Sequence, residues 1–427
     1  MYVDFARMMI RSPRRKTVAA KLRALVNHAY HQVPYYREIM DQHGVSPADI
    51  TDLESFIERF PTTDVAHYKQ VAIADEKNVL AASHLEQPYH EDRSSGSTGI
   101  PTTVRRTSAE RNHNNAKTLA HLFRRGLRPW HRLAAIVPPC QVVERDSFLQ
   151  RLGVFRRITI DHYMPLEEAT EAIIQKKIDA IYGRKAGIQL LAPLIAKHPD
   201  FRPYAFMMPG AEVINRADRK YLCEQYRPRN YAEMYGCTET GIIATRKDED
   251  DYAIDYNSVF VTIEDVETLD SVNGIEGNFH RGTVVVSSLY NWLQPFLKYK
   301  LGDIAIVRNL DLANQLGMTI VDIEGRSDDF LLLPDGKQMS AATFKCIIEN
   351  FDSVWQYKVV QDQVESCQVQ VVLNDGASNE RALITEAIQE LVAGKIDCEV
   401  CFVDEIKPGA NGKFKMLESS ASRERGL

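Results

Sequence analysis

The segment Ser94-Ser-Gly-Ser-Thr-Gly-Ile-Pro-Thr-Thr103 decides how this sequence is interpreted. Its glycines permit the backbone angles of a tight loop, and successive amides with Ser and Thr hydroxyls can wrap phosphate oxygens. The segment is not a Walker loop, because the G-x-x-x-x-G-K-[ST] spacing and its lysine are absent. Taken alone, it is interpreted equally well as a phosphate-binding loop or as a solvated turn.

Four short motifs follow this segment along the chain. They are Met234-Tyr-Gly-Cys-Thr-Glu239, Tyr299-Lys-Leu-Gly-Asp303, Gly325-Arg-Ser-Asp-Asp329 and Gly409-Ala-Asn-Gly-Lys413. Each is weak by itself, since a Tyr-Gly turn is commonly structural and a Gly-Asp pair often ends a strand. An ordered set of this kind is hard to obtain by chance, so together the motifs indicate one functional site.

The ordered set resembles the acyl- and aryl-adenylate-forming superfamily, which includes acyl-CoA synthetases, luciferases and peptide-synthetase adenylation domains. The resemblance covers nearly the whole chain. It is closest to the phenylacetate–CoA ligase-like branch, because of the Ser-Ser-Gly-Ser-Thr-Gly-x-Pro-Thr form of the loop and three further segments. These are residues 25–36 (LVNHAYHQVPYY), 61–64 (PTTD) and 294–303 (QPFLKYKLGD).

Composition excludes several classes of protein. The chain has 427 residues, which at about 150 residues per domain predicts two to three domains. With 44% hydrophobic and 26% charged residues it is neither disordered nor collagen-like. Its net charge of −6 does not suggest binding to nucleic acid or to an anionic membrane. No apolar stretch approaches the length of a membrane span, and no secretory signal pattern is present. The ordinary number of cysteines, seven, predicts a reduced, cytoplasmic protein.

Of the seven cysteines, only Cys398 and Cys401 form a C-x-x-C pair. No second Cys/His pair lies nearby at zinc-finger spacing. The pair sits in an apolar run that is typical of a strand. Packing is therefore the favoured interpretation, and a redox or metal-binding role stays open.

Periodicity predicts an α/β fold. Buried strands at 133–137, 180–182 and 205–208 alternate with helices at 166–177 and 185–197, which indicates a parallel sheet with crossover helices. After Tyr252, short strands joined by tight turns predict a small antiparallel, barrel-like β subdomain. We therefore expect a large N-terminal domain with parallel or mixed sheets flanked by helices, that subdomain, and a small mobile α+β C-terminal domain.

The resemblance also implies where the domain boundaries of the chain lie. It implies an N-terminal AMP/ATP- and substrate-binding domain at 1–325, a hinge at 326–328 and a C-terminal cap domain at 329–427. Asp328 matches the hinge position, where loop residues absorb a large change in backbone angles. One pose of the cap would bring the Gly-Lys loop to the adenylate, and the other would present a different face for the acyl acceptor.

The resemblance further assigns roles to individual residues. Glu239 would help to hold Mg²⁺, which takes carboxylate and phosphate oxygens, and together with Thr238 and Lys413 it forms the expected catalytic set. Lys413 would stabilise the anionic transition state of adenylation. Lys415 lies close by, but the preceding Gly412 favours Lys413. The expected nucleotide contacts are Ser94, Ser95, Gly96, Ser97, Thr98 and Gly99 at the β- and γ-phosphates, Gly210, Ala211 and Glu212 along adenine, Tyr235 and Gly236 at the adenine face, Thr238 at the α-phosphate, Asp303 at the ribose, and Arg326 at ribose or phosphate.

Pocket residues are expected beside the nucleotide turns. Met208, Pro209, Met234, Cys237 and Ile242 are medium-sized, and nearly all are apolar, which suits an aromatic or short aliphatic acid. Residues of this kind are also ordinary core residues.

Two segments depart from the usual family pattern. At 183–186 (GRKA), Arg184 and Lys185 either meet an acidic substrate or the nucleotide phosphates, or form a solvated helix start. At 331–338 (LLLPDGKQ), Gly336 matches a glycine that lines the thiol tunnel of CoA-using relatives. Pro334 and Asp335 are not the usual residues beside it, which leaves the use of CoA open.

The sequence therefore predicts a ligase that uses ATP and Mg²⁺ to convert a carboxylic acid, favoured as aromatic, into an acyl-adenylate. A thiol, with coenzyme A favoured, then displaces AMP. Two alternatives stay open: an amine, hydroxyl or carrier-protein thiol as acceptor, and a nucleotide-binding protein without catalysis. The expected partners are the acid and the nucleotide, and a homodimer stays open.

Overall fold

The computed structural model describes much of the chain. The described residues are 5, 9, 14–93, 103–137, 148–161, 164–272, 274–310, 315–326, 330–336, 338–340, 344, 347–348, 350–351, 353–373, 380–407 and 416–421. The helices are α1 Arg15–Gln32, α2 Pro34–Gln42, α3 Leu53–Arg59, α4 Val65–Ala74, α5 Ser108–Arg125, α6 Phe148–Arg151, α7 Leu166–Gln175, α8 Lys185–Lys197, α9 Arg216–Tyr226 and α10 Arg381–Val392. The strands are β1 Tyr89–Arg93, β2 Thr103–Thr107, β3 Leu133–Val137, β4 Arg157–Asp161, β5 Ala180–Arg184, β6 Phe206–Gly210, β7 Ala232–Cys237, β8 Gly241–Lys247, β9 Tyr252–Ile254, β10 Val259–Val272, β11 Ile275–Ser288, β12 Tyr299–Arg308, β13 Thr319–Arg326, β14 Phe330–Leu332, β15 Gln338–Ser340, β16 Val354–Gln363, β17 Ser366–Leu373, β18 Asp397–Phe402 and β19 Leu417–Ser419.

The chain forms two compact units, each built from two segments. The first unit comprises Met1–Leu127 and Ala232–Asp322, and the second comprises Arg128–Tyr231 and Ile323–Leu427. The mixed α/β class predicted from the sequence is confirmed. The domain division at 326–328 stays a prediction. Among the described residues, no helix combines the length and hydrophobicity that a membrane crossing requires.

The first unit is built around antiparallel strands. Its strands follow the order β10-β11-β12-β13-β9-β8-β7, and the pairs β10/β11, β11/β12, β9/β13, β8/β9 and β7/β8 are antiparallel. A separate hairpin pairs β1 with β2, so that Arg93 lies opposite Thr103. The predicted phosphate-binding segment at 94–102 therefore connects the two strands of this hairpin.

Here the structure differs from the barrel-like subdomain of short strands that the sequence predicts. Strands β10 and β11 are 14 residues each, and among the described strands the order is open and continues into β7–β9. The outer half of β10 is largely exposed, so the alternation of apolar and polar residues is lost there. The register of β10 against β11 also shifts between positions Glu264 and Glu267, which interrupts the alternation of apolar and polar residues along β10. Only the inner, buried half of each strand was visible as a strand in the sequence.

The N-terminal helices are tied to the segment at 290–298, which precedes β12. Most of these contacts involve main-chain atoms, so they are independent of side-chain identity in that segment. They are Tyr36 Oη to the Pro295 carbonyl at 3.1 Å, the Leu297 amide to Tyr36 Oη at 2.9 Å, the Ala81 amide to the Leu293 carbonyl at 2.8 Å, the Thr63 amide to the Lys298 carbonyl at 2.8 Å, and His28 Nε2 with the Trp292 carbonyl at 2.8 Å.

The second unit contains the parallel sheet that the sequence predicts. Its strands follow the order β6-β5-β3-β4, and all neighbouring strands are parallel. All five residues of β3 are buried, which explains why this strand appears in the sequence as an uninterrupted apolar run. Helices α7, α8 and α9 pack against the sheet through Ile173, Ile188, Leu191 and Leu222, which share one hydrophobic cluster with Ile136.

The C-terminal part of the second unit is α+β, as predicted. Four strands follow the order β18-β17-β16-β19, and α10 packs on them through Ile384, Ile388 and Val392. Cys398 lies opposite Cys367 on the neighbouring strand and packs against the same hydrophobic cluster. Cys401, three residues further along β18, points to the opposite face. The contact of Cys398 with this cluster supports packing as the interpretation of the C-x-x-C pair.

Gly183 on β5 has no room for a side chain. Its φ is +133°, and a Cβ atom there would lie 2.2 Å from the carbonyl oxygen of Ile136 on β3. We expect Gly183→Ala to lower the free energy of unfolding by about 2–4 kcal/mol, because it adds backbone strain and a steric clash. Urea denaturation measures this loss.

Gly153→Ala is the matched control. Gly153 also has a positive φ, +84°, but an added Cβ would meet no atom of the described residues within 4 Å. Its replacement should cost only the backbone strain, about 1–2 kcal/mol. Equal losses in the two variants would mean that the close approach to Ile136 does not constrain position 183.

Candidate functional site

Two of the sequence motifs meet in the first unit. The hydroxyl of Tyr235, on β7, donates a hydrogen bond to Oδ2 of Asp303, on β12, at 2.7 Å. Tyr235 is 8% exposed, so its ring is held in one place rather than free in solvent. The predicted adenine-stacking and ribose-binding residues are thus directly linked, although 68 positions separate them in sequence.

The turn after Tyr235 requires glycine at both ends. A Cβ atom on Gly236 would lie 2.4 Å from the carbonyl oxygen of Gly241. Gly241 has a φ of +71°, and a Cβ there would lie 2.2 Å from Oδ1 of Asn114. The strand pairing of β7 with β8 shifts register at this point, between Tyr235 and Gly236. The backbone therefore folds back on itself tightly, carrying Thr238 and Glu239 in the turn.

The turn is held by donors that bind its main-chain carbonyls. The Arg106 guanidinium donates through Nη2 to the carbonyls of Thr238 and Glu239, the latter at 3.0 Å. The amide of Asn291 also donates to the Glu239 carbonyl, at 3.1 Å. Arg106 is only 1% exposed, and its Nη1 lies 2.6 Å from Oδ2 of Asp92. This carboxylate balances the buried charge of the guanidinium.

The next carbonyl of the turn, that of Thr240, is held in the same way. Lys117 Nζ donates to it at 2.9 Å, and the hydroxyl of Tyr290 also donates at 2.9 Å. Lys117 is fully buried on α5, and burial lowers its pKa to about 8, partly offset by the charge of Asp255. Its ammonium also lies 5.3 Å from the centroid of the Tyr290 ring, a cation–π distance.

Glu239 is the residue of this turn that could contact a metal ion. It is 8% exposed, and the hydroxyl of Tyr299 lies 3.5 Å from its Oε1. Mg²⁺ typically takes only one or two protein carboxylates and completes its shell with water and substrate phosphates. A single carboxylate beside the predicted phosphate site would fit that pattern. No larger metal-binding cluster occurs among the described residues.

Three predicted pocket residues lie in the first unit. Met234 and Cys237 are on β7 and Ile242 is on β8. Burial raises the pKa of the Cys237 thiol, and the nearby Glu239 adds to this effect. The sulfur also lies 3.3 Å from Oγ1 of Thr240. A raised pKa disfavours the thiolate form, so Cys237 is better suited to contribute bulk to a pocket than to act as a nucleophile.

The remaining described site residues lie in the second unit. Met208, Pro209 and Gly210 are buried at the end of β6. Ala211, which follows them, has a φ of +66°, a conformation unusual for a residue other than glycine. Such strain is found where function demands a particular backbone shape. Glu212 follows in the same loop, and Arg326 ends β13.

The structure contradicts both interpretations of Lys185 that the sequence left open. The ammonium lies 2.8 Å from Oδ2 of Asp218 on α9 and donates to the carbonyl of Val213 at 2.8 Å. Lys185 is 7% exposed, and Gln189 donates to the other oxygen of Asp218. It is neither a solvated helix start nor available to a phosphate. Instead, it secures the loop that begins at Ala211.

Several predicted site residues lie outside the described part of the chain. They are Ser94, Ser95, Gly96, Ser97, Thr98, Gly99, Asp328 and Lys413. Their roles stay predictions.

Comparisons with known proteins bear on the family. Residues 331–420 match the CapK C-terminal domain family. The chain is 30% identical over 131 residues to phenylacetate-coenzyme A ligase from Thermus thermophilus, a match that covers 30% of this chain and 26% of that protein. The match thus spans about a quarter of the length of this curated relative.

Solved structures extend the similarity to nearly the whole chain. The structure of 2-hydroxyisobutyryl-CoA ligase in the postadenylation state, in complex with R3-HIB-AMP, matches with a TM-score of 0.72 at 16% identity, covering 97% of this chain and 91% of that one. The fold is that of the adenylate-forming ligases. An ATP-bound RpMatB-BxBclM chimera matches with a TM-score of 0.51 at 14% identity, covering 96% of each chain. The predicted resemblance is confirmed.

Within the adenylate-forming fold, sequence reasoning missed the residues that hold the Thr238–Thr240 turn. These are Arg106, Lys117, Tyr290 and Asn291. One signal was available. Along α5, Asn114, Lys117, His121 and Arg125 recur at helical spacing and form a polar stripe on a helix whose other buried residues are largely apolar. All four bond to elements of the first unit.

Proposed function

We propose that this protein is an acid–thiol ligase that uses ATP and Mg²⁺ to activate a carboxylic acid as an acyl-adenylate. The observation that carries the proposal is the hydrogen bond between Tyr235 and Asp303. It joins two motifs of the adenylate-forming pattern and places an aromatic ring beside a carboxylate. This is the combination that an adenosine needs, a flat face for the base and an acceptor for the ribose hydroxyls. The adenylate-forming fold supports the same conclusion.

The proposed chemistry has two steps. In the first, a carboxylate oxygen of the acid attacks the α-phosphorus of ATP, and the bond to pyrophosphate breaks. In the second, the sulfur of a thiol attacks the acyl carbon, AMP leaves with the electron pair of the C–O bond, and the thiol proton is lost to solvent. ATP and coenzyme A are the proposed co-substrates.

Each of the described site residues would have a separate role in the first step. Tyr235 stacks on adenine, Asp303 accepts from the ribose and Thr238 donates to the α-phosphate. Glu239 helps to hold Mg²⁺, which neutralises phosphate charge when bound. Because Thr238 and Glu239 sit in a rigid turn, they are positioned before substrate arrives, which is what makes electrostatic stabilisation effective.

Residues outside the described part complete the proposal. The loop of Ser94 to Gly99 would bind the β- and γ-phosphates, and Lys413 would stabilise the charge that develops at the α-phosphate. In the second unit, Gly210, Ala211 and Glu212 would line adenine, and Arg326 would contact ribose or phosphate. We further propose that 329–427 is a cap moving about a hinge at Asp328, and that the protein works in the cytoplasm.

The acid is proposed to be aromatic or short and aliphatic. Five medium-sized, mostly apolar side chains next to the nucleotide turns support this: Met208, Pro209, Met234, Cys237 and Ile242. Side chains of this size and polarity favour an aromatic or short aliphatic acid over a strongly charged one.

An acceptor other than coenzyme A is the second candidate, and Pro334 and Asp335 favour it. Gly336 matches a glycine that lines the thiol tunnel of CoA-using relatives, but these two neighbours are not the usual residues there. An amine, a hydroxyl or a carrier-protein thiol would then take the acyl group.

Acid-dependent exchange of labelled pyrophosphate into ATP tests the proposal. A panel of aryl and alkyl acids is assayed with Mg²⁺, and each acid that gives exchange is then assayed for CoA consumption. Exchange with at least one acid is the expected result, and exchange with none would show a nucleotide-binding protein without this catalysis. CoA-dependent AMP release supports the thiol acceptor, while hydroxamate trapping without CoA-dependent turnover supports the second candidate.

A further inference from the structure

We propose that Arg106 is a positioning residue for adenylation, which sets the orientation of Thr238 and Glu239 through the main chain. This inference rests on the proposed function, because it concerns the residues assigned there to the α-phosphate and Mg²⁺. Arg106 belongs to none of the five motifs that suggested the site.

The geometry begins with the two carbonyls. One nitrogen of the Arg106 guanidinium, Nη2, donates to the carbonyls of both Thr238 and Glu239. A carbonyl lies in the plane of its peptide group. Fixing two successive carbonyls therefore fixes the two peptide planes that flank the Cα atom of Glu239, and with them the direction in which its side chain leaves the main chain. The first of these planes also constrains Thr238 on its C-terminal side.

The guanidinium also polarises the amide N–H groups of the two peptide groups whose carbonyls it binds. The carbonyl of Thr238 shares a peptide group with the amide of Glu239, and the carbonyl of Glu239 shares one with the amide of Thr240. A positive charge at the carbonyl polarises the amide and makes it a stronger donor. Arg106 is 1% exposed, so this effect is little screened by water.

Arg106 connects this turn to the predicted phosphate-binding segment. It lies on β2, which begins at Thr103, directly after the segment. Its partner Asp92 lies on β1, which ends at Arg93, directly before the segment. One ion pair thus ties both strands that border residues 94–102 to the turn that carries Thr238 and Glu239.

The turn has other supports that should preserve folding when Arg106 is replaced. Asn291 donates to the Glu239 carbonyl, and Lys117 and Tyr290 donate to the Thr240 carbonyl. Arg106→Gln is therefore expected to fold while losing the precise orientation of the turn. Arg106→Lys keeps the charge but loses the planar fork that reaches two acceptors.

Arg105→Gln is a matched control. Arg105 is the neighbouring residue on the same strand, and its guanidinium pairs with Glu76 and Glu91 instead of the turn. Both control and test variants remove one arginine charge from β2. A difference between them therefore reports on the turn and not on the charge of the strand.

The test measures pyrophosphate exchange, with hydrogen–deuterium exchange as a second readout. We expect Arg106→Gln to lower kcat about 10- to 100-fold and to raise the Mg²⁺ concentration for half-maximal rate, with a smaller change in KM for ATP. Arg106→Lys should fall between it and the wild type. Arg105→Gln should match the wild type. Amide exchange over 236–242 should be faster in Arg106→Gln only.

The outcomes separate the two proposals. If the wild type exchanges pyrophosphate and Arg106→Gln behaves as Arg105→Gln does, the positioning role is overturned and the proposed function stands. If the wild type shows no exchange with any acid, the proposed function fails. In that case the hydrogen–deuterium measurement still decides whether Arg106 orders the turn, and unchanged amide exchange overturns that role.

Discussion

Replacing Lys413 with alanine is expected to slow acid-dependent pyrophosphate exchange by about 100- to 1,000-fold, the loss that follows removal of one preorganised donor to a developing charge. ATP binding should change little, because Tyr235, Asp303 and the 94–99 segment supply the proposed ground-state contacts. Calorimetric titration with a non-hydrolysable ATP analogue measures that binding. The variant should also convert a preformed acyl-adenylate to product, since the lysine is assigned to the first step only.

Lys415→Ala is the control for this experiment, because Lys415 lies only two residues further along the sequence. It should leave exchange within about twofold of the wild type, since it is not assigned a contact with the reacting phosphate. A normal rate in Lys413→Ala, or an equal loss in Lys415→Ala, would remove the catalytic role from position 413.

The largest stability loss is expected from Arg246→Ala. Arg246 on β8 lies opposite Glu233 on β7, with its Nε and Nη2 atoms at 2.6 and 2.5 Å from Glu233 Oε2. Tyr252 donates to the same oxygen at 2.7 Å. Glu233 is fully buried, so truncating its partner leaves a carboxylate inside the protein without its counter-charge. Such a change costs about 3–5 kcal/mol, measurable as a shift in the denaturant midpoint.

An exposed ion pair of the same unit provides the comparison. Lys300 pairs with Asp265 at 2.7 Å, with side-chain exposures of 34% and 69%. Lys300→Ala should cost less than about 1 kcal/mol, because water and salt screen the pair. The double variant Glu233→Leu/Arg246→Met should recover much of the loss, since no buried charge remains. Equal losses in Arg246→Ala and Lys300→Ala would contradict the importance of burial.

Prediction from the sequence was most accurate where the hydrophobicity of the residues alone determined which element they form and which side of it is buried. The apolar run of β3 and the helix α8 were predicted with the bounds that the structure shows, Leu133–Val137 and Lys185–Lys197. Strand β3 is a continuous apolar run because all its residues are buried, and α8 shows the apolar period of a helix. The proximity of Tyr235 and Asp303 could be inferred only because both motifs resemble one family, since nothing in their spacing brings them together.

The buried cations could not have been predicted in the same way. Arg106, Lys117 and Lys185 are charged residues, which are almost always exposed unless paired. Their partners are main-chain carbonyls and single carboxylates from distant parts of the sequence. A carbonyl has no signature in an amino-acid sequence, so these contacts become visible only when the fold is known. The sequence alone could not show what Lys185 does, because one of its two partners is the main-chain carbonyl of Val213 and the other, Asp218, is 33 positions away.

The contacts between the N-terminal helices and residues 290–298 limit how far the chain can be shortened. No residue of α1–α4 is assigned to nucleotide or acid, so a smaller ligase without them would look feasible. Yet Tyr36, on α2, satisfies two buried main-chain groups, the Pro295 carbonyl and the Leu297 amide, of the segment that carries Tyr290 and Asn291 and leads into β12. Deleting these helices would leave those two groups without this partner, each at a cost of about 1–3 kcal/mol. Removal of α1–α4 would therefore disturb, through this segment, the positions of Asp303 and of the Thr238–Thr240 turn. A shorter catalytic fragment should retain α1–α4.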